Sequence, residues 1–199
     1  QDTGPNTGGM GSVSPVPFAD KAFMEKVENR IVAPTIQGIQ KEKLDYQGFL
    51  FFGLMNVNGD PYVVEYNCRM GDPEAEVVIP RINSDLLQLF SAIPEGKLAH
   101  QKVEVNPQHA AAIIMASGGY PGKYEKHMRI KGLNTVEHAH VFHAGTKIVK
   151  RSIETNGGRV IAVTALADRL PQALDVANKD VRKIMFDKSY YRHDIGFDL

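Results

Sequence analysis

The clearest fold signal in this chain is Val63-Val64-Glu65-Tyr66-Asn67-Cys68-Arg69-Met70-Gly71-Asp72-Pro73-Glu74. It is typical of a strand, rich in β-branched and aromatic residues, that runs into a polar loop. Successive side chains of a strand point to opposite faces, so the polar members are predicted to share one face: Glu65, Asn67 and Arg69. The apolar members are expected to face the core: Val64, Tyr66 and Cys68. The pattern therefore places a carboxylate and an amide oxygen side by side.

This strand is predicted to be the second half of a β-hairpin. Residues 48–57 are aromatic and aliphatic, and they are followed by the turn sequence Asn58-Gly59-Asp60-Pro61 and by strand-like residues 62–66. Helical spacing of apolar residues predicts two helices before the hairpin, over residues 20–30 and 34–43, with Asp20 as the first cap and Pro34 in the first turn of the second. It predicts two more after the hairpin, over residues 74–82 and 85–93, the second capped by Ser84 or Asn83.

The pattern changes after Pro94-Glu95-Gly96. Short strands are predicted near residues 102–105, 110–116, 136–142, 146–151 and 159–167. One apolar helical stripe then runs from Leu170 to Ile184, which predicts a helix that packs across the sheet. The predicted fold class is α+β, with an antiparallel sheet and helices over residues 1–98 and a small β-rich domain with one packed helix over residues 99–199.

Composition argues against nucleic-acid binding and membrane association. Hydrophobic residues make up 43% and charged residues 23%, as in an ordinary globular protein. Lys plus Arg equal Asp plus Glu at 23 each, so no net field attracts nucleic acid or anionic lipid. No apolar run approaches the roughly 18 residues of a membrane span, so a membrane partner is not expected. The single cysteine fits a reducing cytoplasm, and Cys68 is interpreted as a small core residue.

Two loops and a group of histidines permit more than one interpretation. The opening Gln1-Asp2-Thr3-Gly4-Pro5-Asn6-Thr7-Gly8-Gly9-Met10-Gly11 lacks an initiator Met, which suggests the interior of a longer gene product. Its backbone N–H groups suit an anion or a carboxylate, and a plain connector is the alternative. The loop over residues 118–124 is interpreted as a structural turn, with contact to substrate or to the other domain as the alternative. A surface or structural role is favoured for three histidines: His138, His140 and His143.

The polar face of the strand suits phosphoryl chemistry. Oxygen ligands such as those of Glu65 and Asn67 suit Mg²⁺, which takes few protein groups and completes its shell with water and nucleotide phosphates. An adjacent arginine, here Arg69, pairs phosphoryl oxygens and stays charged at working pH. The alternative from the residues alone is an exposed hairpin end with solvated polar side chains.

The chain resembles the phosphoribosylamine-glycine ligase family, also called glycinamide ribonucleotide synthetase, of the ATP-grasp superfamily. The resembling stretches span almost the whole chain, in the family's order: residues 2–11, 53–55, 65–74, Arg81 with 84–86, 117–121, 157–160 and 191–196. The resemblance implies that residues 1–98 are the C-terminal portion of the ATP-grasp domain and residues 99–199 the family's C-terminal β-rich domain. It also implies that the N-terminal half of the enzyme is missing here, so the chain is expected to be inactive alone.

The resemblance further implies the activity and its residues. Members of the family join glycine to 5-phosphoribosylamine in purine biosynthesis, through glycyl phosphate and with release of ADP and phosphate. Glu65 and Asn67 match the Mg²⁺ or Mn²⁺ ligands, and Arg69 matches the catalytic arginine at the transferred phosphoryl group. The positions matched to the amine or glycine substrates are Asp2, Asn6, Gly8, Gly9 and Asp72. ATP is the co-substrate, and a cytoplasmic enzyme is expected.

The pattern departs from many ATP-grasp relatives in one respect. Those relatives take a further metal carboxylate from the preceding strand, whereas Phe51-Phe52-Gly53-Leu54-Met55 offers none. We therefore expect weak metal binding without nucleotide. Two other functions remain open on the sequence: a non-catalytic binding or scaffold module, and another ATP-grasp carboxylate-amine or carboxylase-type ligase that shares the three polar residues. Residues 69–74 and the glycine loop favour the purine enzyme.

Overall fold

The structure is a computed structural model that describes residues 4–199. The chain forms two compact units, each assembled from separate segments. We call residues 4–14, 72–82 and 105–198 the sheet unit, and residues 15–71 and 83–104 with Leu199 the hairpin unit. The predicted boundary between residues 98 and 99 concerns the domains of the whole family member and stays a prediction.

The helices and strands are, in chain order, β1 (Gly11–Ser14), α1 (Lys21–Val27), α2 (Ala33–Lys41), β2 (Phe51–Val57), β3 (Asp60–Asn67), α3 (Ala75–Val78), α4 (Leu86–Ala92), β4 (His109–Ala116), β5 (His140–His143), β6 (Thr146–Val149), β7 (Ser152–Thr155), β8 (Arg159–Ala167) and α5 (Leu170–Val181). A π-helical turn, Glu28–Val32, joins α1 to α2, and short 3-10 turns lie at Ile79–Arg81, Leu98–His100 and Leu133–Thr135. Antiparallel sheets with a few helices confirm the predicted α+β class.

The sheet unit is organised around an antiparallel sheet in the order β1-β4-β8-β5, with β6 and β7 as a separate hairpin. The central strands β4 and β8 are almost continuously apolar in sequence and buried along most of their length. Such runs are typical of strands covered on both faces. On one face Ile113 and Met115 pack in the same cluster as Ala177 and Val181 of α5. The sheet is thus the middle layer of this unit.

The opposite face of β4 is covered by α3 and by the glycine loop. Val77 of α3 packs against Ala110 and Ala112. Further along the same face, Met10 packs with Ile114, and Tyr120 lies against this cluster. Residues near the chain start are therefore held against the sheet by apolar contacts.

In the hairpin unit, helix capping and turn chemistry follow the sequence. Asp20 Oδ1 accepts a hydrogen bond from the Phe23 N–H at 2.8 Å and caps α1. Asn58 and Gly59 have positive φ angles of 53° and 83°, as the tight turn between β2 and β3 requires. Lys26 and Arg30 bind the Asp60 carboxylate, each at 2.9 Å. Their hydrogen bonds, with that of Lys26 the larger cause, hold the pKa of Asp60 below its ordinary value. The predicted helices and hairpin are confirmed.

Two predictions for residues 83–105 are wrong. Asp85, rather than Ser84 or Asn83, caps α4, because its Oδ1 accepts from the Gln88 N–H at 3.1 Å. The Ser84 hydroxyl is already engaged with the Lys102 carbonyl and the Glu104 N–H. Residues 102–105 do not form a strand of any ladder; Val105 makes a single isolated bridge to Ile82.

The β-rich part also differs from expectation in detail. β1 and β7 were not expected, and β5 begins at His140 rather than at residue 136. The late start has a local cause, because the N–H groups of His138 and Ala139 both donate to the buried Asp180 carboxylate at 2.9 Å instead of to a strand. Burial opposes ionisation, but the hydrogen bonds from Lys183 and these N–H groups hold the pKa of Asp180 below its ordinary value.

The expected apolar face of β3 is not covered by the described residues. Val64 is 66% exposed and Tyr66 52% exposed, and Cys68 is exposed as well, so all three predictions of core positions are wrong. Tyr66 only packs edge-on against Phe52, with the ring centroids 5.4 Å apart. Within the part of the chain that the structure describes, β2 and β3 pair with each other alone and form a two-stranded sheet. No helix among residues 4–199 is both long and apolar enough to span a membrane.

Candidate functional site

Glu65 and Asn67 lie next to each other on one face of β3. The Asn67 Nδ2 group donates to Glu65 Oε1 at 2.9 Å, and Glu65 is exposed while Asn67 is half-buried. The opposite strand contributes Gly53, which pairs with Glu65; a Cβ on Gly53 would approach Glu65 Cγ to 2.8 Å. The absent side chain at this glycine therefore leaves room for the carboxylate.

A β-bulge precedes this pair. The register steps from Gly53 opposite Glu65 to Leu54 opposite Val63, which leaves Val64 as the extra residue of β3. Bulges of this kind bend a strand and re-aim the neighbouring side chains. The bulge thus lies where it sets the direction of the Glu65 side chain.

Arg69 follows the strand in the exposed loop. Its Nη1 donates to the neighbouring Met70 carbonyl at 2.9 Å. The guanidinium is therefore exposed and tied to its own loop. Its contact with a phosphoryl group stays a prediction.

In the sheet unit, Arg159 connects two predicted substrate positions. Its Nη1 lies 3.1 Å from the Gly9 carbonyl, 2.8 Å from the Asp72 carbonyl and 3.1 Å from Asp72 Oδ1. The Arg159 side chain is 21% exposed, whereas that of Asp72 is 52% exposed. The arginine is thus mostly covered, and the carboxylate that it holds remains accessible.

Tyr120 makes a second connection to the glycine loop. Its hydroxyl accepts a hydrogen bond from the Gly8 N–H at 3.1 Å, and its carbonyl accepts one from the Tyr190 hydroxyl at 2.7 Å. The Tyr120 ring lies directly over Gly158, where any Cβ would overlap the ring. The close approach of the Tyr120 ring therefore explains why Gly158, the second of the two glycines before Arg159, has no side chain.

Gly9 packs against the loop that follows β3. A Cβ on Gly9 would overlap the Pro73 ring, and the Ser12 hydroxyl donates to the Pro73 carbonyl at 2.6 Å. Only a residue without a side chain permits this approach. The loop and the Asp72-Pro73 turn are thus fitted to each other.

A half-buried carboxyl, that of Glu76, lies beside this network. Burial raises the pKa of Glu76 above its ordinary value, the charges of Asp72 and Glu74 raise it further, and Arg159 acts in the opposite direction. One Glu76 oxygen, Oε2, is buried without a hydrogen-bond partner. The Arg159 side chain therefore works within a locally acidic environment.

The structure thus gathers the predicted site residues into two groups in different units. Glu65 and Asn67 meet in the hairpin unit, with Arg69 in the following loop. Gly8, Gly9 and Asp72 meet in the sheet unit through Tyr120 and Arg159, and Asn6 is exposed nearby in sequence. Asp2 lies outside the described residues.

Sequence reasoning did not assign a role to Arg159 or Tyr120. Both belong to stretches that carry the family resemblance, residues 157–160 for Arg159 and residues 117–121 for Tyr120, and that resemblance was the available signal. A second signal exists at Gly158, because a glycine directly before a charged strand residue often marks a close approach of another group. The three expected surface histidines are exposed, as predicted: His138, His140 and His143.

The donor chemistry fits a divalent cation with phosphate ligands. Among residues 4–199, no group of three or more His, Cys, Asp or Glu side chains is arranged to hold a metal ion. Glu65 and Asn67 offer a carboxylate and an amide oxygen, both hard ligands, and a half-turn of the amide exchanges its nitrogen for Oδ1. A cation held by these two residues needs further ligands from water or nucleotide, which is how Mg²⁺ is usually bound.

Two sequence profiles of one enzyme family match the chain. The profile described as "Phosphoribosylglycinamide synthetase, ATP-grasp (A) domain" matches residues 1–75, and "Phosphoribosylglycinamide synthetase, C domain" matches residues 110–198. The chain belongs to the phosphoribosylglycinamide synthetase family. Its fold class is confirmed as the later part of an ATP-grasp domain followed by the C domain of this family.

Relatives in bacteria and vertebrates agree with this assignment. Phosphoribosylamine-glycine ligase of Caldanaerobacter subterraneus is 43% identical over 196 residues, which covers 98% of this chain and 47% of that relative. The trifunctional purine biosynthetic protein adenosine-3 of Gallus gallus is 43% identical over 199 residues, covering 98% of this chain and 20% of that protein. A crystal structure of phosphoribosylamine-glycine ligase from Thermotoga maritima has a TM-score of 0.81 at 36% identity, covering 97% of this chain and 48% of that one. The chain therefore spans about half the length of the two relatives named phosphoribosylamine-glycine ligase.

Proposed function

We propose that this synthetase-family chain is the C-terminal half of an ATP-dependent phosphoribosylamine-glycine ligase of purine biosynthesis. The proposed reaction joins glycine to 5-phosphoribosylamine and yields glycinamide ribonucleotide, ADP and phosphate. Two family profiles and relatives at about 43% identity support this reading. We further propose that the enzyme works in the cytoplasm and that its other half is the chain's obligatory partner.

The observation that carries the proposal is the side-by-side placement of Glu65 and Asn67 at the exposed end of β3. We assign these two residues as ligands of Mg²⁺ or Mn²⁺. The bound cation would act as a Lewis acid and as a template for the phosphate oxygens. Because the described residues offer only this carboxylate and amide at the position, nucleotide phosphates and water must complete the shell.

The family resemblance supplies the proposed roles of the remaining residues. In the first step a glycine carboxylate oxygen attacks the terminal phosphorus of ATP, the bond to ADP breaks, and Arg69 stabilises the charge on the transferred group. In the second step the amine of phosphoribosylamine attacks the glycyl carbonyl, phosphate leaves, and a proton is released from nitrogen. We assign substrate contacts in these steps to Asp72 and to the loop residues Asp2, Asn6, Gly8 and Gly9.

The test uses a joined enzyme, in which this chain follows the part of the Caldanaerobacter relative that precedes the matched region. We expect glycinamide ribonucleotide to form only when ATP, glycine and phosphoribosylamine are all present, as measured by mass spectrometry and phosphate release. Glu65→Ala should reduce kcat by about 1,000-fold because it removes the charged metal ligand. The matched control is Glu42→Ala, which removes an exposed carboxylate next to α2 in the same unit.

Three results discriminate between the candidate functions. Normal turnover by Glu65→Ala would contradict the metal assignment. Phosphate release with a different carboxylate or amine would indicate another ATP-grasp ligase. A folded joined enzyme that binds ATP and releases no phosphate with any of these substrates would favour the non-catalytic scaffold.

A further inference from the structure

The side chain of Arg159 lies at the meeting point of three chain segments. It is the first residue of β8, and it reaches Gly9, 150 residues away, and Asp72, 87 residues away. The register of β4 with β8 steps from Met115 opposite Ile161 to Ala116 opposite Arg159, so a bulge at Val160 directly follows Arg159. Such a bulge sets the direction of the neighbouring side chain.

The contacts of Arg159 converge on one guanidinium nitrogen. Its Nη1 lies 3.1 Å from the Gly9 carbonyl, 2.8 Å from the Asp72 carbonyl and 3.1 Å from Asp72 Oδ1, so its two N–H donors serve three acceptors in two chain segments. A lysine keeps the positive charge, but its ammonium lies on a shorter stem and lacks the planar geometry that directs Nη1 toward these acceptors.

The positive charge of Arg159 offsets a local excess of carboxyl groups. Asp72, Glu74 and Glu76 supply three carboxyl groups within five residues of sequence, and Arg159 is the cation that faces them in the sheet unit as described. Without it, like-charge repulsion from Glu76 and Glu74 would favour rotation of the Asp72 carboxylate away from Gly9.

We propose that Arg159 is a positioning residue, which fixes the Asp72 carboxylate and the Gly9 peptide at one spacing so that both meet the substrate as a preformed surface. This inference rests on the proposed function, in which Asp72 and the glycine loop contact the amine or glycine. Tyr120 assists because its hydroxyl accepts a hydrogen bond from the Gly8 N–H. Arg159 acts through Asp72 and Gly9 and does not itself have to touch the substrate.

The kinetic test uses the joined enzyme with Arg159→Ala and Arg159→Lys, and with Arg182→Ala as the control for loss of an exposed arginine in the same unit. Misplacement of substrate groups by an ångström costs about 100-fold in rate. We therefore expect kcat/KM for glycine or phosphoribosylamine to fall by about 100-fold in both Arg159 variants, while KM for ATP is unchanged. Added guanidinium should partly restore the alanine variant. The proposal would be overturned if kcat/KM fell only in proportion to the fraction of folded enzyme while every KM stayed unchanged.

A double-mutant cycle separates positioning from direct contact. If Arg159 acts through Asp72, then Arg159→Ala should have little further effect in an Asp72→Asn background, because the group to be positioned is already impaired. Independent, multiplicative effects of the two changes would overturn the proposal and indicate that Arg159 contacts the substrate itself.

A structural readout on this chain alone makes the inference separable from the proposed function. Amide hydrogen exchange at residues 8–11 should accelerate in Arg159→Ala and stay unchanged in Arg182→Ala. Unchanged exchange in Arg159→Ala would overturn the positioning role whatever the enzyme does. If the loop responds as expected but the joined enzyme makes no glycinamide ribonucleotide, then the proposed function fails and the positioning of Asp72 and Gly9 stands.

Discussion

The two compact units differ in how they bury their strands. In the sheet unit, Ile113 and Ile161 on the central strands are fully buried, whereas Val64 on β3 of the hairpin unit is 66% exposed. The sheet unit thus carries a core of its own, and the hairpin exposes the side chains that flank the candidate metal ligands. From this difference we expect substitutions in the core of the sheet unit to change mainly stability, and substitutions of the polar residues along β3 to change mainly activity.

The largest expected effect on stability is in the core of the sheet unit. Ile161→Ala should lower the free energy of unfolding by about 4 kcal/mol, because it removes a buried side chain and leaves a cavity. Val64→Ala in the hairpin unit should change it by no more than about 0.5 kcal/mol, because that side chain is mostly exposed. Urea unfolding of both variants of this chain measures the contrast. Equal destabilisation would show that the hairpin is packed as tightly as the sheet.

A smaller effect is expected at Asp180, the buried carboxylate that holds the segment before β5. Asp180→Ala should cost about 3 kcal/mol, because it leaves the N–H groups of His138 and Ala139 without their acceptor and removes one of the two carboxylates that pair with Lys183. The control is Asp175→Ala on the exposed side of α5, where the ion pair with Lys179 should contribute about 0.5 kcal/mol or less.

The same carboxylate predicts a pH dependence. The pKa of Asp180 is lower in the folded than in the unfolded chain, so the unfolded chain takes up the proton first as the pH falls. Its stabilising contribution is therefore complete above about pH 4, near the unfolded value, and is lost as the pH falls through the folded value. Stability measured from pH 6 downwards should show this loss in the native chain and lack it in Asp180→Ala. Parallel curves would contradict the assignment.

The smallest effects contrast one glycine from each unit. Gly11→Ala should destabilise by about 2 kcal/mol, because the new Cβ would lie 2.6 Å from Ile195 Cδ1 and 2.8 Å from the Ala112 carbonyl. Gly38→Ala in α2 should stabilise by about 0.7 kcal/mol, because nothing lies within 4 Å and alanine favours the helix. Thermal unfolding of the two variants gives the sign directly. Destabilisation at Gly38 would mean that the hairpin unit is more closely packed than the contacts indicate.

Local patterns predicted a large part of the fold. The apolar runs of β4 and β8, the Asn58-Gly59 turn and the Asp20 cap each contain their own signal, and each is present in the structure. β1 was not predictable in this way, because Gly11–Ser14 is short and its partner β4 lies about a hundred residues further along the chain. The exposure of Cys68 was missed because alternation distinguishes two faces of a strand but does not say whether either face is covered.

The same limit applies to the candidate site. Period two along β3 was sufficient to place Glu65 and Asn67 together, since both belong to one strand. The role of Arg159 depends on contacts with residues 87 and 150 positions away, which no local pattern encodes. The sequence also contains no sign of the bulges at Val64 and Val160, which adjust the directions of the functional side chains.

Mn²⁺ binding, followed by the electron paramagnetic resonance signal of the free ion, tests the metal site most directly. We expect the joined enzyme to remove free Mn²⁺ strongly when ATP is present and only weakly in its absence, because Glu65 and Asn67 leave most of the ligand shell to nucleotide and water. Because ATP itself binds Mn²⁺ in solution, each signal is compared with that of Mn²⁺ and ATP without protein. Glu65→Ala should remove no more free Mn²⁺ than ATP alone does, and Glu42→Ala should bind the ion like the native chain. Undiminished binding by Glu65→Ala, or micromolar binding by the native chain without nucleotide, would contradict the proposed site.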